Sequence, residues 1–336
     1  MSEVLATPDT AAFASPDGIL HVLVLDGLGG ARELPWEQLR DWSLDQGALW
    51  VHLDFEAPAA QEWLSEHSGL NDIAVEALTT PETRPRTLSR GENLLLTLRG
   101  INHNPGDEPE DMVSLRIWTD GQRLISTRRR SLRSTELILQ DLASGEGPAS
   151  AADLIVAYAQ QISLQMQPTL ERFEEEVLSL EDRVLGDRDD QVRQGLVGLR
   201  RRIIAIRRYI APQREALSRL SAETVSWLDE LNRLRLREAS DRLIRHIEDL
   251  DEMRDRAILA QEELASLVAE QMNARTYLFT VAAVVFLPLG FITGLLGINV
   301  GGMPGVDSAL AFWIVVALCA VIGVCLALLL RLRRWL

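Results

Sequence analysis

YLFTVAAVVFLPLGFITGLL, residues 277–296, and LAFWIVVALCAVIGVCLALLL, residues 310–330, decide the architecture of this chain. Neither run contains a charged residue, and they are 20 and 21 residues long. As α-helices each spans about 30 Å, the thickness of a bilayer hydrocarbon core. The reading is a two-helix membrane anchor joined by a loop of 13 residues, 297–309. The 276 residues ahead of it carry almost all of the charge and are expected to lie outside the membrane.

The flanks set an expected orientation. Arg275 precedes the first run, Arg331, Arg333 and Arg334 follow the second, and the loop between them has no basic residue. The positive-inside rule then puts both termini in the cytoplasm and the loop outside. The start, Met1-Ser2-Glu3-Val4, has neither a basic nor an apolar region, so no cleaved signal peptide is expected. Cys319 and Cys325 are the two cysteines. Six residues apart inside the second run, with no His or acid beside them, they read as packing or lipid-facing residues.

The chain has 34 basic residues, all arginine, against 49 acidic ones, a net charge of −15. Such a field opposes nucleic acid or an anionic lipid surface as main partner and is compatible with gathering cations; ordinary solubility is the plainer explanation of it.

Residues 1–150 read as a mixed α/β domain. Strands are expected at His21–Asp26, Ala48–Asp54, Asn93–Arg99, Met112–Thr119 and Gln122–Thr127. The last two flank Asp120-Gly121, a hairpin signal. Helices are expected near Ala59–Glu66 and Asp72–Leu78. The acidic loop 106–111 reads as a solvated turn, with cation binding as the alternative. From Ala151 the pattern turns helical and stays so, giving a stalk over 151–276. Between Gln213 and Leu287 there is no Gly or Pro, and a break is expected near Asn232. Leu243, Leu250, Ala257 and Leu264 share one heptad line; Ile247, Arg254, Gln261 and Val268 share a half-polar one, which suits a helix lining a partly wet interior.

No breaker separates this charged helix from the first membrane run, so one helix is expected to pass from cytoplasm into bilayer. Pro288 then sits within the span and frees a backbone carbonyl, a candidate kink. Asn273, Thr276, Thr280, Ala283 and Leu287 recur at spacings of 3 and 4 and form one stripe. Its hydroxyls either face a water-filled lumen or bond to their own helix backbone. Leu287 would form an apolar gate. Gly297 permits a tight turn, and Asn299 offers a neutral amide oxygen that suits a cation's hydration shell. Two helices cannot enclose an aqueous path, so transport through this stripe demands an oligomer.

The segment FLPLGFITGLLGIN after a long charged helix, and the ending Arg334-Trp335-Leu336, resemble the CorA superfamily of divalent-cation transporters. That superfamily carries Gly-Met-Asn at the outer end of its first membrane helix. Here Gly297-Ile298-Asn299 stands instead, followed by Val300-Gly301-Gly302-Met303-Pro304-Gly305, which is similar to the ZntB zinc-transporter branch. LERFEEEVLSLEDRVL and LRRRIIAIRRYIAPQREAL are similar to that branch as well.

The resemblance implies an α+β cytoplasmic domain followed by a long helical stalk and two C-terminal transmembrane helices, assembled as a homopentameric funnel in a bacterial-type inner membrane. It implies transport of a divalent cation, Zn2+ first, with proton coupling and uptake expected, and no resident cofactor. Asn299, with Gly297 and Ile298, maps onto the selectivity filter, Leu287 onto a hydrophobic constriction, and Asn273, Thr276 and Thr280 onto the lower pore. Glu262 falls near a regulatory acid of magnesium-transporting relatives; a stalk salt bridge is its other reading. Where those relatives carry Glu in the outer loop this chain has Gly305, leaving Asp307 as the loop's acid. That favours zinc over magnesium and leaves a broader Mg2+/Co2+/Ni2+ channel as the alternative.

His21, His52, His67, His103 and His246 are scattered, and none pairs with a cysteine at zinc-ligand spacing. No P-loop, dinucleotide turn or nucleophile elbow appears, so an anchored enzyme lacks a recognisable centre; a non-transporting two-span protein would need neither stripe nor Gly-Ile-Asn. Neither span contains an acid or histidine, so proton coupling would use groups outside the bilayer, such as Asp307, Glu263 or Glu270.

Overall fold

The computed structural model describes residues 17–81, 83–186, 190–298, 305, 308 and 310–332. The chain divides into two compact units, Met1–Ala260 and Gln261–Leu336.

The first unit is built on a seven-stranded sheet: β1 (Ile19–Leu25), β2 (Ala31–Glu33), β3 (Leu49–Asp54), β4 (Arg86–Arg90), β5 (Asn93–Gly100), β6 (Val113–Thr119) and β7 (Arg123–Arg128). Their order is β2-β1-β3-β7-β6-β5-β4. Every pair is antiparallel except β3–β7, where Val51 lies beside Ile125 and Leu53 beside Thr127. The five strands expected from sequence are present, displaced at their ends by one or two residues. Asp120-Gly121 makes the β6–β7 turn, with Gly121 at φ 88°.

β3 is central and buried on both faces, so its sequence LWVHLD does not alternate in polarity. Leu49, Val51 and Leu53 pack with Leu64, Ala74 and Leu78 from the helical segments α1 (Pro58–Glu62, continuing to His67) and α2 (Asp72–Thr79). Trp50 and His52 point to the other face. There the Trp50 indole and the His52 ring both meet Ser126 Oγ, at 2.8 and 2.7 Å, and Trp50 stands edge-on to Tyr158. Asn71 caps α2 by accepting the Ala74 N–H.

Helices follow as α3 (Arg133–Ser144), α4 (Ala151–Leu164), α5 (Gln167–Gly186), α6 (Asp190–Ala222) and α7 (Glu230–Leu296). Phe173, Val177, Leu196, Leu199, Ile203, Leu243 and Leu250 are buried at helical spacing. Around this apolar seam Arg207 binds Asp251 through two bonds of 2.7 and 3.0 Å, Arg256 binds Glu181, and Arg202 binds Glu176.

The helix break falls at 223–229, ahead of the expected Asn232, which sits in the first turn of α7. No Gly or Pro makes it; tertiary contacts do. Val225 and Leu228 are buried, and Trp227 lies so close over Gly121 that a Cβ there would meet its ring at 2.3 Å. The Trp227 indole donates to the Glu92 carbonyl, and the Ser226 N–H and hydroxyl donate to the Glu92 carboxylate. Asp229 Oδ1 then accepts the Asn232 N–H at 2.7 Å and restarts the helix.

Candidate functional site

The second unit contains the outer part of α7 and α8 (Ala311–Leu332). These helices bury almost nothing: none of the apolar window of α7 and 6% of that of α8 is enclosed. Phe279, Phe286, Phe291, Phe312 and Trp313 are all more than 65% exposed. A helix from a soluble core would be covered, so these surfaces require lipid or further copies of the chain. Cys319 and Cys325 are free thiols on α8.

Thr276, Thr280, Ala283 and Leu287 come together as one wall of an open groove of about 660 Å³. Phe279, Val284 and Pro288 add to that wall, and Leu326 of α8 closes its far edge. The stripe therefore borders α8 on one side and is open on the other. Asn273 is exposed and lies outside the groove. Thr280 Oγ1 donates to the Thr276 carbonyl at 2.8 Å, the backbone-bonded of the two arrangements open to it. Its oxygen lone pairs remain available. Thr293 does the same toward Leu289, at 2.9 Å.

α7 runs through Pro288 without interruption. Proline has no N–H, so the carbonyl four residues back, at Val284 on the groove wall, loses its usual donor. At the outer end the Gly297 N–H donates to the carbonyls of Thr293 (2.9 Å) and Gly294 (3.2 Å), and the helix stops. Ile298 follows, half exposed. Asn299 and Asp307 lie outside the described residues. Gly305 holds φ 90°, a conformation that a Glu at this position would resist.

Glu262, Glu263 and Glu270 are exposed, and none makes an ion pair among the described residues. The acidic loop 106–111 is bonded into the fold: the Asn102 amide donates to Asp107, and Arg130 pairs with Asp107 at 3.4 Å. One trio the sequence reading missed, Glu62, Glu66 and His67, brings its ligand atoms within 4.8 Å of one another on an exposed helical surface. Its signal was present as acids at i and i+4 with a histidine at i+5.

Similarity to known proteins agrees with this layout. Residues 45–334 match the family described as CorA-like Mg2+ transporter protein. The chain belongs to this family of divalent-cation transporters, a membrane family and not an enzyme class. It is 39% identical over 317 residues to the divalent cation transporter CmaX of Pseudomonas aeruginosa, covering 93% of this chain and 95% of that one. It is 36% identical over 296 residues to the zinc transport protein ZntB of Pectobacterium atrosepticum, covering 88% and 89%. The structure of full-length CmaX superposes with a TM-score of 0.83 at 36% identity, over 96% of this chain and 99% of that one. The CorA magnesium transporter of Methanocaldococcus jannaschii superposes at 0.79 over 94% and 99%; at 17% identity it speaks to the fold alone.

Proposed function

We propose that this chain is one subunit of a homopentamer that moves a divalent cation, Zn2+ first, across a bacterial inner membrane. The observation that carries this reading is the two-helix unit itself. Its first helix ends at Gly297-Ile298, ahead of Asn299, and presents Thr276, Thr280, Ala283 and Leu287 on one open face. Two such helices cannot surround water; five copies can. In this assembly the first membrane helix of each subunit lines the path, Leu287 supplies a ring that excludes water when closed, and Asn299 supplies a ring of amide oxygens at the outer mouth. Asn273 continues the path inward, and Asp307 is the loop acid that draws cations to it.

Residues 1–150 and the helices of 151–276 then stand in the cytoplasm, with 277–296 and 310–330 as spans, 297–309 outside and 331–336 as a basic inner tail. Zinc is supported by the ZntB relatives and by Gly305, which removes an outer-loop charge that magnesium transport would favour. A broader divalent-cation range is favoured by the higher identity to CmaX, whose name specifies no single metal. The test is metal uptake into proteoliposomes carrying an interior zinc-sensitive dye, with and without an inward proton gradient. Zinc uptake raised by the gradient supports proton-coupled import. Magnesium or cobalt flux without zinc flux overturns the zinc assignment.

A further inference from the structure

A cavity of about 560 Å³ in the first unit is lined by six arginines, although the chain carries a net charge of −15. Its floor is the face of the sheet that also carries α2, where Arg99 lies opposite Ser114 and Thr97 opposite Arg116. Arg84 enters from the segment after α2, Arg129 and Arg130 from the end of β7, and Arg208 from α6.

Arg116 is the decisive residue. It is 2% exposed, and no carboxylate pairs with it among the described residues. Its Nε and Nη2 donate to the carbonyls of Thr80 and Pro81, both at 2.9 Å, and its guanidinium lies over the Phe55 ring. Those contacts account for a role in fixing the end of α2. They leave Nη1, which is buried and has no hydrogen-bond partner among the described residues. Thr83 Oγ1 and Glu110 Oε2 are also buried without partners among the described residues, and both residues line the same cavity. A buried guanidinium that no carboxylate pairs with among the described residues is costly unless something anionic joins it. Burial and the neighbouring Arg99 lower its pKa to about 10, the direction expected of a cation short of a partner.

Among the described residues, no acid pairs with Arg116. Asp107 pairs with Arg130 and Glu56 with Arg129, which accounts for two of the six lining arginines. Glu110 and Asp111 line the cavity but pair with none of its arginines among the described residues. The volume is that of a small-molecule site, and forked guanidinium groups match phosphate oxygens.

We propose that this cavity binds a small, multiply charged phosphate compound from the cytoplasm, with Arg116 at its base and Arg84 and Arg208 at its rim. The hydroxyl of Thr83 adds a donor, and the Glu110 carboxylate accepts from a protonated phosphate oxygen or a ligand hydroxyl. All of the cavity's lining residues belong to the first unit, and the proposal does not depend on which metal is carried.

The test is calorimetric titration of the purified full-length protein with pyrophosphate in metal-free buffer, against sodium chloride at equal ionic strength. Saturable binding is expected, weakened at least about tenfold in the rim variant R84Q/R208Q, since each charge-assisted bond is among the strong ones. R116Q should abolish it; because that variant also releases Thr80 and Pro81, the rim variant carries the decision if R116Q misfolds. ATP without magnesium, if tighter than pyrophosphate, assigns a nucleotide; equal affinity assigns the phosphate chain alone. Heat that chloride reproduces, or binding unchanged in R84Q/R208Q, overturns the proposal.

Discussion

The two units of this chain treat the same residue types in opposite ways. In Met1–Ala260, Trp50, Val51, Leu53, Leu96 and Leu98 are enclosed by strands and helices of the same chain. In Gln261–Leu336, Phe279, Leu287, Phe291 and Trp313 stand open. The first unit carries its own core. The second leaves its apolar side chains uncovered within one chain, and there Thr276, Thr280 and the helix-ending Gly297 stand among them. In the proposed assembly, stability and transport fall to different stretches of one sequence.

The largest effect expected from this contrast is on solubility. Residues 1–260 expressed alone should remain soluble and cooperatively folded, whereas the full chain should precipitate when detergent is diluted away. Size-exclusion chromatography separates the outcomes, and a full chain that stays monodisperse without detergent would remove the contrast.

Single substitutions sharpen it. Trp50→Ala deletes a fully buried ring and its bond to Ser126, and should cost about 3–5 kcal/mol in chemical denaturation of the first unit. Phe286→Ala, on a ring that is 71% exposed, should leave that unfolding within about 0.5 kcal/mol of the parent. Asp229→Ala removes the cap that restarts α7 and should cost about 1 kcal/mol by the same assay.

The smallest effect is a pH slope confined to the first unit. Burial holds the His52 imidazole well below its ordinary value, with Arg128 and His21 adding to the shift. As pH falls below about 6.5 the unfolded chain takes up this proton and the folded one resists, so stability present at neutral pH declines. Burial also lowers His21, His103 and His246. Melting temperature should therefore drop from pH 7.5 to pH 5.5, and His52→Gln should flatten part of that drop. A slope unchanged by the substitution would show that His52 is not its source.

What could be read in the sequence follows the same division. The membrane helices announce themselves by length and absence of charge, because no tertiary partner is needed to explain them. The strands with β-branched or leucine-rich runs were legible too. β2 and β4 were not: one has three residues, and the other is an edge strand, RTLSR, whose charges keep its open side from pairing. α3 was missed although Ile138, Leu142 and the left-handed Gly145 mark its face and its end. The break at 223–229 was invisible near its true place, because its causes, Gly121 and Glu92, lie over 100 residues away in sequence.

The site was legible as a pattern and only partly as geometry. The spacing of Thr276, Thr280, Ala283 and Leu287 predicts a shared face, and these four do line one groove. Spacing could not reveal that Leu326 borders it, nor that Thr280 bonds to its own helix. The arginine cavity was hidden entirely, since its residues come from five separate segments.

The central claim is that the open stripe and the residues Gly297, Ile298 and Asn299 that follow it form a cation path. Its most direct test is zinc uptake by proteoliposomes containing the parent protein or Asn299→Ala, with the melting of the first unit followed in parallel. The account predicts that flux falls at least about tenfold or loses its metal preference while melting is unchanged, as expected for removing an oxygen ring that replaces ion hydration. Unaltered flux and selectivity in a folded Asn299→Ala protein would contradict it.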